Sequence, residues 1–285
     1  MTQHQVKSGQ LPQHKYAINA ALLGDRAELA WSNLGYWLAD TKDYPQACRQ
    51  LADQLAQRLN LNSKDQLLDL GCGQGASLVH WLQHYKIQNI HAVELQKQCV
   101  DKIQKSFPQL TNIYAQSFLN LKQIEFKTQF DVVLCIDAAY HSVLNSFLKA
   151  VQPVLNSKGR LGFHSLMLSG TFAELSAWQK FKYRCLLKCA DVNLSNLMPK
   201  ADLTQCLQQQ GFEDVSIEDF STEVLQGFAL YVASDEFAQI QSQAQLNAAT
   251  THKLDLLKIK MTARLCQKLY KDGLVRYVQI TAQKA

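Results

Sequence analysis

The feature that most constrains this chain is an apolar run that ends in a turn with three glycines. Leu67-Leu68-Asp69-Leu70 is followed by Gly71-Cys72-Gly73-Gln74-Gly75, which predicts a buried strand leading into a tight turn. Glycine lets a backbone pass close to a ligand, because it has no side chain and tolerates positive φ. Glu94 lies nineteen residues after Gly75, at the end of another apolar run. A carboxylate there can accept both hydroxyls of a ribose, so the pattern indicates a nucleoside-containing cofactor.

The composition is that of an ordinary globular protein, with 47% hydrophobic residues and a net charge of +5 over 285 residues. We find no signal peptide, and no apolar run approaches the roughly 18 residues of a membrane span. We therefore expect a cytoplasmic protein without an integral membrane segment, with a homodimer left open. Basic residues cluster only at 180–188 and 253–271. This argues against a nucleic-acid binder but leaves an acidic acceptor or a membrane surface open.

The eight cysteines predict neither disulfides nor a metal site. Most of them lie in apolar strand or helix patterns, where a reduced cysteine is a small buried side chain. Cys185 and Cys189 are one helical turn apart, but no second pair has the spacing of metal ligands.

Strands and helices alternate along most of the chain. Strands are predicted at 67–70, 90–94, 112–115, 130–136, 160–163, 215–220 and 274–280, with 156–159 as a turn. Helices are predicted between most of these strands, which indicates an α/β fold. We expect a doubly wound, mostly parallel sheet of seven strands with helices on both faces. Residues 166–198 and 234–271 interrupt the alternation with aromatic and helical segments.

The glycine turn alone does not identify the cofactor. Gly71-x-Gly73-x-x-Ala76 also satisfies the dinucleotide fingerprint, so an NAD(P)-dependent oxidoreductase stays open, as does a tight turn without a ligand. A dinucleotide places its pyrophosphate at the helix N-terminus, where Asp69 is a poor neighbour. Asp69 therefore favours a sulfonium cofactor, which carries no phosphate.

Several segments resemble the class I S-adenosylmethionine-dependent methyltransferases. They span most of residues 65–282 in the order of that family, and they are 68–75, 92–94, 130–135, 154–161 and 210–215. Asn33-Leu34-Gly35-Tyr36-Trp37 and Tyr140-His141 are similar to the branch that methylates small natural products, sterols and tocopherols. The resemblance implies a Rossmann-like fold with an antiparallel last strand and S-adenosylmethionine as cofactor. It implies in-line methyl transfer to O, N or C of a small to medium, partly apolar metabolite or lipid; a non-catalytic binding protein is the alternative.

The resemblance also implies a set of cofactor-binding residues. The backbone amides of Gly71 and Gly73 would approach the methionine part, Asp69 would orient the turn or meet the ammonium, and Glu94 would take the ribose. The family often has an acidic residue after its third strand, but this chain has Gln116-Ser117-Phe118 there. The full expected set is Tyr36, Trp37, Asp69, Gly71, Gly73, Gly75, Glu94, Leu95, Gln116, Ser117, Phe118, Cys135 and Asp137.

Two histidines are candidates for catalysis. His141 follows the fourth strand, at the sheet edge where ligands bind in open α/β folds. A histidine near neutral pKa suits removal of a proton from the acceptor during an in-line transfer. The alternative for His141 is a structural helix cap. His164, at the end of the fifth strand, is the second candidate for a base or for orienting the substrate.

The expected organisation has two parts. Residues 1–60 form an N-terminal arm and helices that cover the cofactor, and Tyr36 and Trp37 either close over it or pack on the sheet. Residues 61–285 form the methyltransferase domain, with helical inserts at about 166–200 and 234–271. These inserts are expected to form a lid that excludes water from the acceptor, with extra core as the alternative.

Overall fold

The fold is built on one seven-stranded sheet. The computed structural model describes residues 19–245 and 251–285. The strands of the described residues are β1 Gln66–Leu70, β2 Asn89–Glu94, β3 Ile113–Ala115, β4 Phe130–Cys135, β5 Leu155–Leu168, β6 Phe212–Asp219 and β7 Val275–Lys284. They lie side by side in the order β3-β2-β1-β4-β5-β7-β6.

The strand directions confirm the predicted α/β class. β1 pairs in parallel with β2 and β4, and the pairs β2–β3 and β4–β5 are also parallel. β7 runs antiparallel to both β5 and β6. The order of strands along the chain reverses between β1 and β4, which is where open α/β sheets bind ligands, outside the carboxyl ends of the strands.

Helices cover both faces of the sheet. They are α1 Tyr44–Arg58, α2 Ala76–Gln83, α3 Lys97–Ser106, α4 Leu144–Val151, α5 Ala177–Lys188, α6 Lys200–Gln209, α7 Gly227–Val232, α8 Asp235–Gln245 and α9 Thr251–Asp272. Successive strand side chains point to opposite faces. Leu67 accordingly packs into the apolar cluster that includes Trp81, and Leu68 into the cluster that includes Phe147. Burial on both faces explains why the parallel strands are almost continuously apolar.

The prediction of a turn at 156–159 was wrong, because these residues form the irregular start of β5. Phe130 pairs with Leu155, whereas Val132 pairs with Arg160. Between these two pairs, β4 contains a step of two residues and β5 a step of five, so β5 has three extra residues there. Lys158 takes a φ of 60° within this irregularity, so the turn-forming residues are absorbed into a bulged strand.

The segment predicted as helical at 234–271 contains α8 and α9, and residues 246–250 between them lie outside the described residues. The polar arm predicted at the N-terminus lies mostly outside them too, and its last part forms a short 3-10 helix at Ala20–Leu23. Across 19–245 and 251–285, no helix combines the length and the apolar character needed to cross a membrane.

Trp81 fixes α2 against the sheet. Its side chain is fully buried, and its indole Nε1–H donates to Oδ2 of Asp69 on β1 at 2.8 Å. α2 begins immediately after the glycine turn. This hydrogen bond therefore holds the strand, the turn and the helix in one arrangement.

We expect Trp81→Phe to lower the free energy of unfolding by about 1–3 kcal/mol, because it leaves the buried Asp69 side chain without its indole donor. Urea denaturation followed by far-UV circular dichroism measures the change. Trp178→Phe is the matched control, since Trp178 is 69% exposed. Equal stability of the two variants would contradict a structural role for this hydrogen bond.

Candidate active site

A cavity of about 370 Å³ opens at the carboxyl ends of β1, β2 and β4. Its walls come from loops that follow these strands and β3, together with one segment from before α1. Its lining residues include Trp31, Ser32, Asn33, Asp69, Gly71, Gly73, Ser77, Glu94, Leu95, Ser117, Phe118, Asp137 and His141. The cavity therefore occupies the edge where the strand order places a ligand.

The glycine turn brings the backbone close to its surroundings. Gly71, Gly73 and Gly75 all have positive φ, at 71°, 55° and 91°. A Cβ on Gly73 would lie 2.6 Å from the hydroxyl oxygen of Ser32, so only glycine allows the N-terminal segment to approach the turn this closely.

The backbone amides of the turn differ from the sequence-based expectation. The N–H of Gly71 donates to the carbonyl of Val93 at 2.7 Å, and the N–H of Gly73 donates to Oε2 of Glu94 at 3.0 Å. Both amides thus donate to acceptors within the protein and not to a ligand. The turn therefore shapes the cavity wall and orients the carboxylate of Glu94.

Glu94 is held rigidly at the end of β2. Its Oε2 accepts from Gly73, and its Oε1 accepts from the backbone N–H of Gln96 at 2.9 Å. The residue is 6% exposed and lines the cavity. Each carboxylate oxygen can accept more than one hydrogen bond, so this arrangement fits recognition of two ribose hydroxyls.

Asp69 and Ser77 give the cavity a buried polar corner. The pKa of Asp69 is raised to about 6, chiefly because the side chain is buried. Trp81 and Ser77 oppose this rise, and the negative charge of Glu94 adds to it. The Ser77 hydroxyl is buried and has no hydrogen-bond partner of good geometry among the described residues. An unsatisfied hydroxyl beside a carboxyl group fits the polar amino-acid end of S-adenosylmethionine.

The N-terminal segment is fixed over the cavity by its own hydrogen bonds. Oδ2 of Asp25 accepts from the backbone N–H of Trp31 at 2.7 Å, and the hydroxyl of Tyr44 donates to the carbonyl of Asn33 at 2.7 Å. Trp31, Ser32 and Asn33 consequently line the cavity. Sequence reasoning missed these three as site residues, although Asn33 belonged to a segment that the resemblance had singled out.

A second cavity, of about 580 Å³, lies next to the first. Its walls are mostly apolar and come from the ends of α5 and β5, from β7 and from α9, with examples in Leu34, Leu166, Leu187, Ile259, Leu265 and Leu269. Ser32, Asp137 and His141 line both cavities. The two spaces therefore meet at these three residues.

Asp137 is the most heavily bonded residue at this junction. Its Oδ1 accepts from the hydroxyls of Tyr140 at 2.8 Å and Tyr277 at 3.0 Å, and its Oδ2 accepts from the N–H of Leu34 at 3.1 Å. Burial raises its pKa to about 6, and the three donors oppose that rise. The backbone takes a φ of 55°, a conformation that aspartate tolerates better than most residues.

The two candidate histidines lie in different surroundings. His141 is exposed, lines both cavities and has Nδ1 3.4 Å from the carbonyl oxygen of Asp191. His164 is fully buried, lines neither cavity and has Nε2 3.3 Å from Oε1 of Gln279. Burial lowers the pKa of His164 to about 3, so it is a weak base. It was expected at the end of the fifth strand, but β5 continues to Leu168 and holds His164 inside the sheet.

Tyr36 and Trp37, expected at the cofactor, line neither cavity. The Tyr36 ring packs edge-on against Phe220, and the Trp37 ring stacks on Tyr231 at a centroid distance of 4.3 Å. Both are therefore packing residues. Their partners lie just after β6 and on α7, whereas the alternative had expected packing on the sheet.

Some of the remaining expected cofactor residues line the first cavity and others do not. Leu95, Ser117 and Phe118 line the first cavity. Gln116 does not, and its side-chain amide donates to Gln123 at 2.9 Å. Gly75 and Cys135 do not line the first cavity either.

No group of three metal-binding side chains occurs within the described ranges. All eight cysteines are free thiols.

Comparison with known proteins gives a family match over much of the chain. A family profile described as a methyltransferase domain matches residues 41–217. Erythromycin 3''-O-methyltransferase from Saccharopolyspora erythraea is 26% identical over 213 residues, which cover 72% of this chain and 69% of the relative. Norajmaline N-methyltransferase from Rauvolfia serpentina is 24% identical over 233 residues, which cover 77% and 75%.

Solved structures share the fold. Geranyl diphosphate C-methyltransferase from Streptomyces coelicolor, in complex with S-adenosylhomocysteine, superposes with a TM-score of 0.68 at 13% identity over 96% of both chains. A cyclopropane synthase from Mycobacterium tuberculosis gives a TM-score of 0.68 at 17% identity, covering 97% of this chain and all of the other.

We expect Glu94→Gln to weaken binding of S-adenosylhomocysteine by at least about tenfold, because an amide presents an N–H where the carboxylate accepts. Isothermal titration calorimetry measures the dissociation constant. Glu125→Gln is the matched control, since Glu125 is exposed and lines neither cavity. Unchanged affinity in Glu94→Gln would remove the ribose role.

We also expect the carboxyl group of Asp69 to make stability depend on pH. Its pKa is about 6 when folded against an ordinary 3.8, so its contribution is fully present below about pH 4 and is lost as pH rises through about 6. Relative to Asp69→Asn, the wild type should lose about 1–1.5 kcal/mol of unfolding free energy between about pH 5 and pH 7.5.

Urea denaturation of both proteins at both pH values measures this difference, in which the titration of other groups such as His164 cancels. Asp202→Asn, at an exposed position, is the control and should follow the wild type. A wild-type-to-Asp69→Asn difference that does not vary with pH would contradict the raised pKa.

Proposed function

Because the chain belongs to the methyltransferase family that its sequence matches, and is an S-adenosylmethionine-dependent enzyme, we propose that it methylates a small to medium, partly apolar metabolite or lipid. The observation that carries this proposal is the meeting of the first cavity, which holds Asp69 and Glu94 in its wall, with the larger and more apolar second cavity. They meet at Ser32, Asp137 and His141. A methyl donor in the first cavity would thus face an acceptor in the second.

The relatives support an acceptor of this class without defining it. Two of them are named for methylation of erythromycin at oxygen and of norajmaline at nitrogen. The apolar walls of the second cavity, such as Leu187 and Leu265, suit the apolar part of such a molecule. Whether O, N or C receives the methyl group depends on the acceptor.

We propose that Glu94 holds the ribose and that Asp69 and Ser77 receive the ammonium end of the cofactor. When bound, S-adenosylmethionine supplies a methyl carbon whose bond to sulfur breaks as the bond to the acceptor forms, leaving S-adenosylhomocysteine. Ser117 and Phe118 line the same cavity and would contact the adenine.

His141 would act as the base for an acceptor that must lose a proton. It lines both cavities, and an imidazole can take a proton near neutral pH. Asp137 would position the acceptor, because its carboxylate is oriented by Tyr140, Tyr277 and Leu34 at the junction. α5 and α9 would exclude water from the acceptor.

We further propose a cytoplasmic location and an acceptor that is not a nucleic acid. The free thiols are compatible with a reducing compartment.

We also propose a division into a covering segment, residues 1–60, and a methyltransferase domain, residues 61–285. It is supported by Trp31 and Ser32, which line the first cavity. A homodimer stays a proposal that sedimentation can test.

We expect His141→Ala to lower kcat for a proton-losing acceptor by at least about 100-fold, while the dissociation constant of S-adenosylhomocysteine stays within about twofold. The assay is S-adenosylhomocysteine release with a panel of partly apolar alcohols and amines. His84→Ala is the matched control, because His84 is exposed and lines neither cavity.

Full turnover in His141→Ala would remove the residue as the base. Failure of the wild type to bind either S-adenosylmethionine or S-adenosylhomocysteine would overturn the proposed function.

A further inference from the structure

Two helices that wall the second cavity also carry a set of exposed apolar side chains. These side chains are 50–69% exposed, and they are Trp178 and Phe181 on α5 with Leu254, Leu257 and Met261 on α9. The Trp178 and Phe181 rings lie 5.9 Å apart. Spacings of three and four residues on α9 place its three side chains on one face. Each helix thus has its own group of exposed apolar side chains, a pair on α5 and a row on α9, and grouped exposed apolar side chains mark an interaction surface more often than scattered ones do.

The same helices concentrate the positive charge of the protein. α5 has four basic residues and no acidic one, and α9 has six basic residues and two acidic ones. Together they hold a net charge of +8, against +5 for the whole chain, which leaves −3 on all other residues. Asp272 of α9 is already paired with Lys182 at 2.9 Å and Lys268 at 2.6 Å. The basic character therefore belongs to this pair of helices and not to the protein in general.

α5 and α9 are joined to each other beside the second cavity. The hydroxyl of Tyr183 donates to Oδ2 of Asp272 at 2.6 Å, which links the two helices. Leu187 of α5 and Leu265 of α9 line the cavity, and so does Met261, one of the exposed residues. Met261 thus connects the exposed apolar row of α9 with the cavity.

We propose that α5 and α9 form a docking surface for an anionic lipid bilayer, from which an apolar acceptor enters the second cavity. Trp178 and Phe181 insert at the headgroup level, and the lysines and arginines of both helices bind the anionic headgroups. The membrane is bound at its surface and is not crossed. The entry of the acceptor rests on the proposed function, whereas binding to the bilayer does not require it.

The test measures binding of the purified full-length chain to sedimenting vesicles, without any turnover. Vesicles of phosphatidylcholine alone are compared with vesicles that also contain phosphatidylglycerol, at low and at physiological ionic strength. We expect binding only to the anionic vesicles, weakened by salt because screening reduces the attraction. Tryptophan emission should shift to the blue, since Trp178 is exposed while Trp31 and Trp81 are already buried.

Variants separate the apolar part from the charged part. The double variant Trp178→Ala/Phe181→Ala should lower vesicle affinity at least about fivefold, and Arg184→Gln/Lys260→Gln should do so too, with a shallower salt dependence. The matched controls are Leu38→Ala and Lys64→Gln/Lys86→Gln, at exposed positions outside both helices. Trp178→Phe should keep binding but lose the emission shift.

The proposal is overturned if anionic vesicles are not bound, if neutral vesicles are bound equally, or if the control variants lose as much affinity as the test variants. Calorimetric binding of S-adenosylhomocysteine, run on every variant, distinguishes this failure from failure of the proposed function. A sedimentation coefficient that falls in Trp178→Ala/Phe181→Ala would instead assign the surface to a second copy of this chain and overturn the proposal as well.

Discussion

The carboxylate of Asp137 ties together three parts of the chain that are far apart in sequence. It receives the N–H of Leu34 from the N-terminal segment, the hydroxyl of Tyr140 from the loop after β4 and the hydroxyl of Tyr277 from β7. Burying a carboxylate is costly unless it is hydrogen-bonded, so these three partners are held in place together. The two cavities meet at this point, and their relative position depends on it.

The fold and much of the first cavity could be predicted from the sequence, because their signals are local. The apolar run, the glycine turn and Glu94 lie in consecutive strand–helix units, and parallel strands bring their carboxyl ends to one edge. Trp31 and Tyr277 could not be found in this way, since hydrogen bonds across the fold place them. His164 was expected at the end of the fifth strand, but β5 continues to Leu168, so His164 lies within the sheet and its side chain is fully buried. Tyr36 and Trp37 pack on Phe220 and Tyr231 instead of a ligand.

The two cavities are built from different kinds of structure. The first cavity is formed mainly by turns that the sheet fixes, with Glu94 held by two backbone amides. The apolar one is formed mainly by α5 and α9, which interrupt the alternation of strands and helices. The positions of helices outside the sheet are determined chiefly by side-chain packing. Their sequence therefore predicts that helices cover the site, but it does not predict the shape of the cavity that they enclose.

The two cavities share part of their wall, so substitutions differ in whether they affect one cavity or both. A substitution at Ser32, Asp137 or His141 touches both spaces, so it alters both cavities at once. A substitution on the far wall, at Leu187 or Leu265, changes only the larger cavity. With the methyl donor in the first cavity and the acceptor in the second, as proposed above, changes in α5 and α9 would alter the acceptor while donor binding is kept. Such an architecture would favour diversification of substrate over diversification of chemistry.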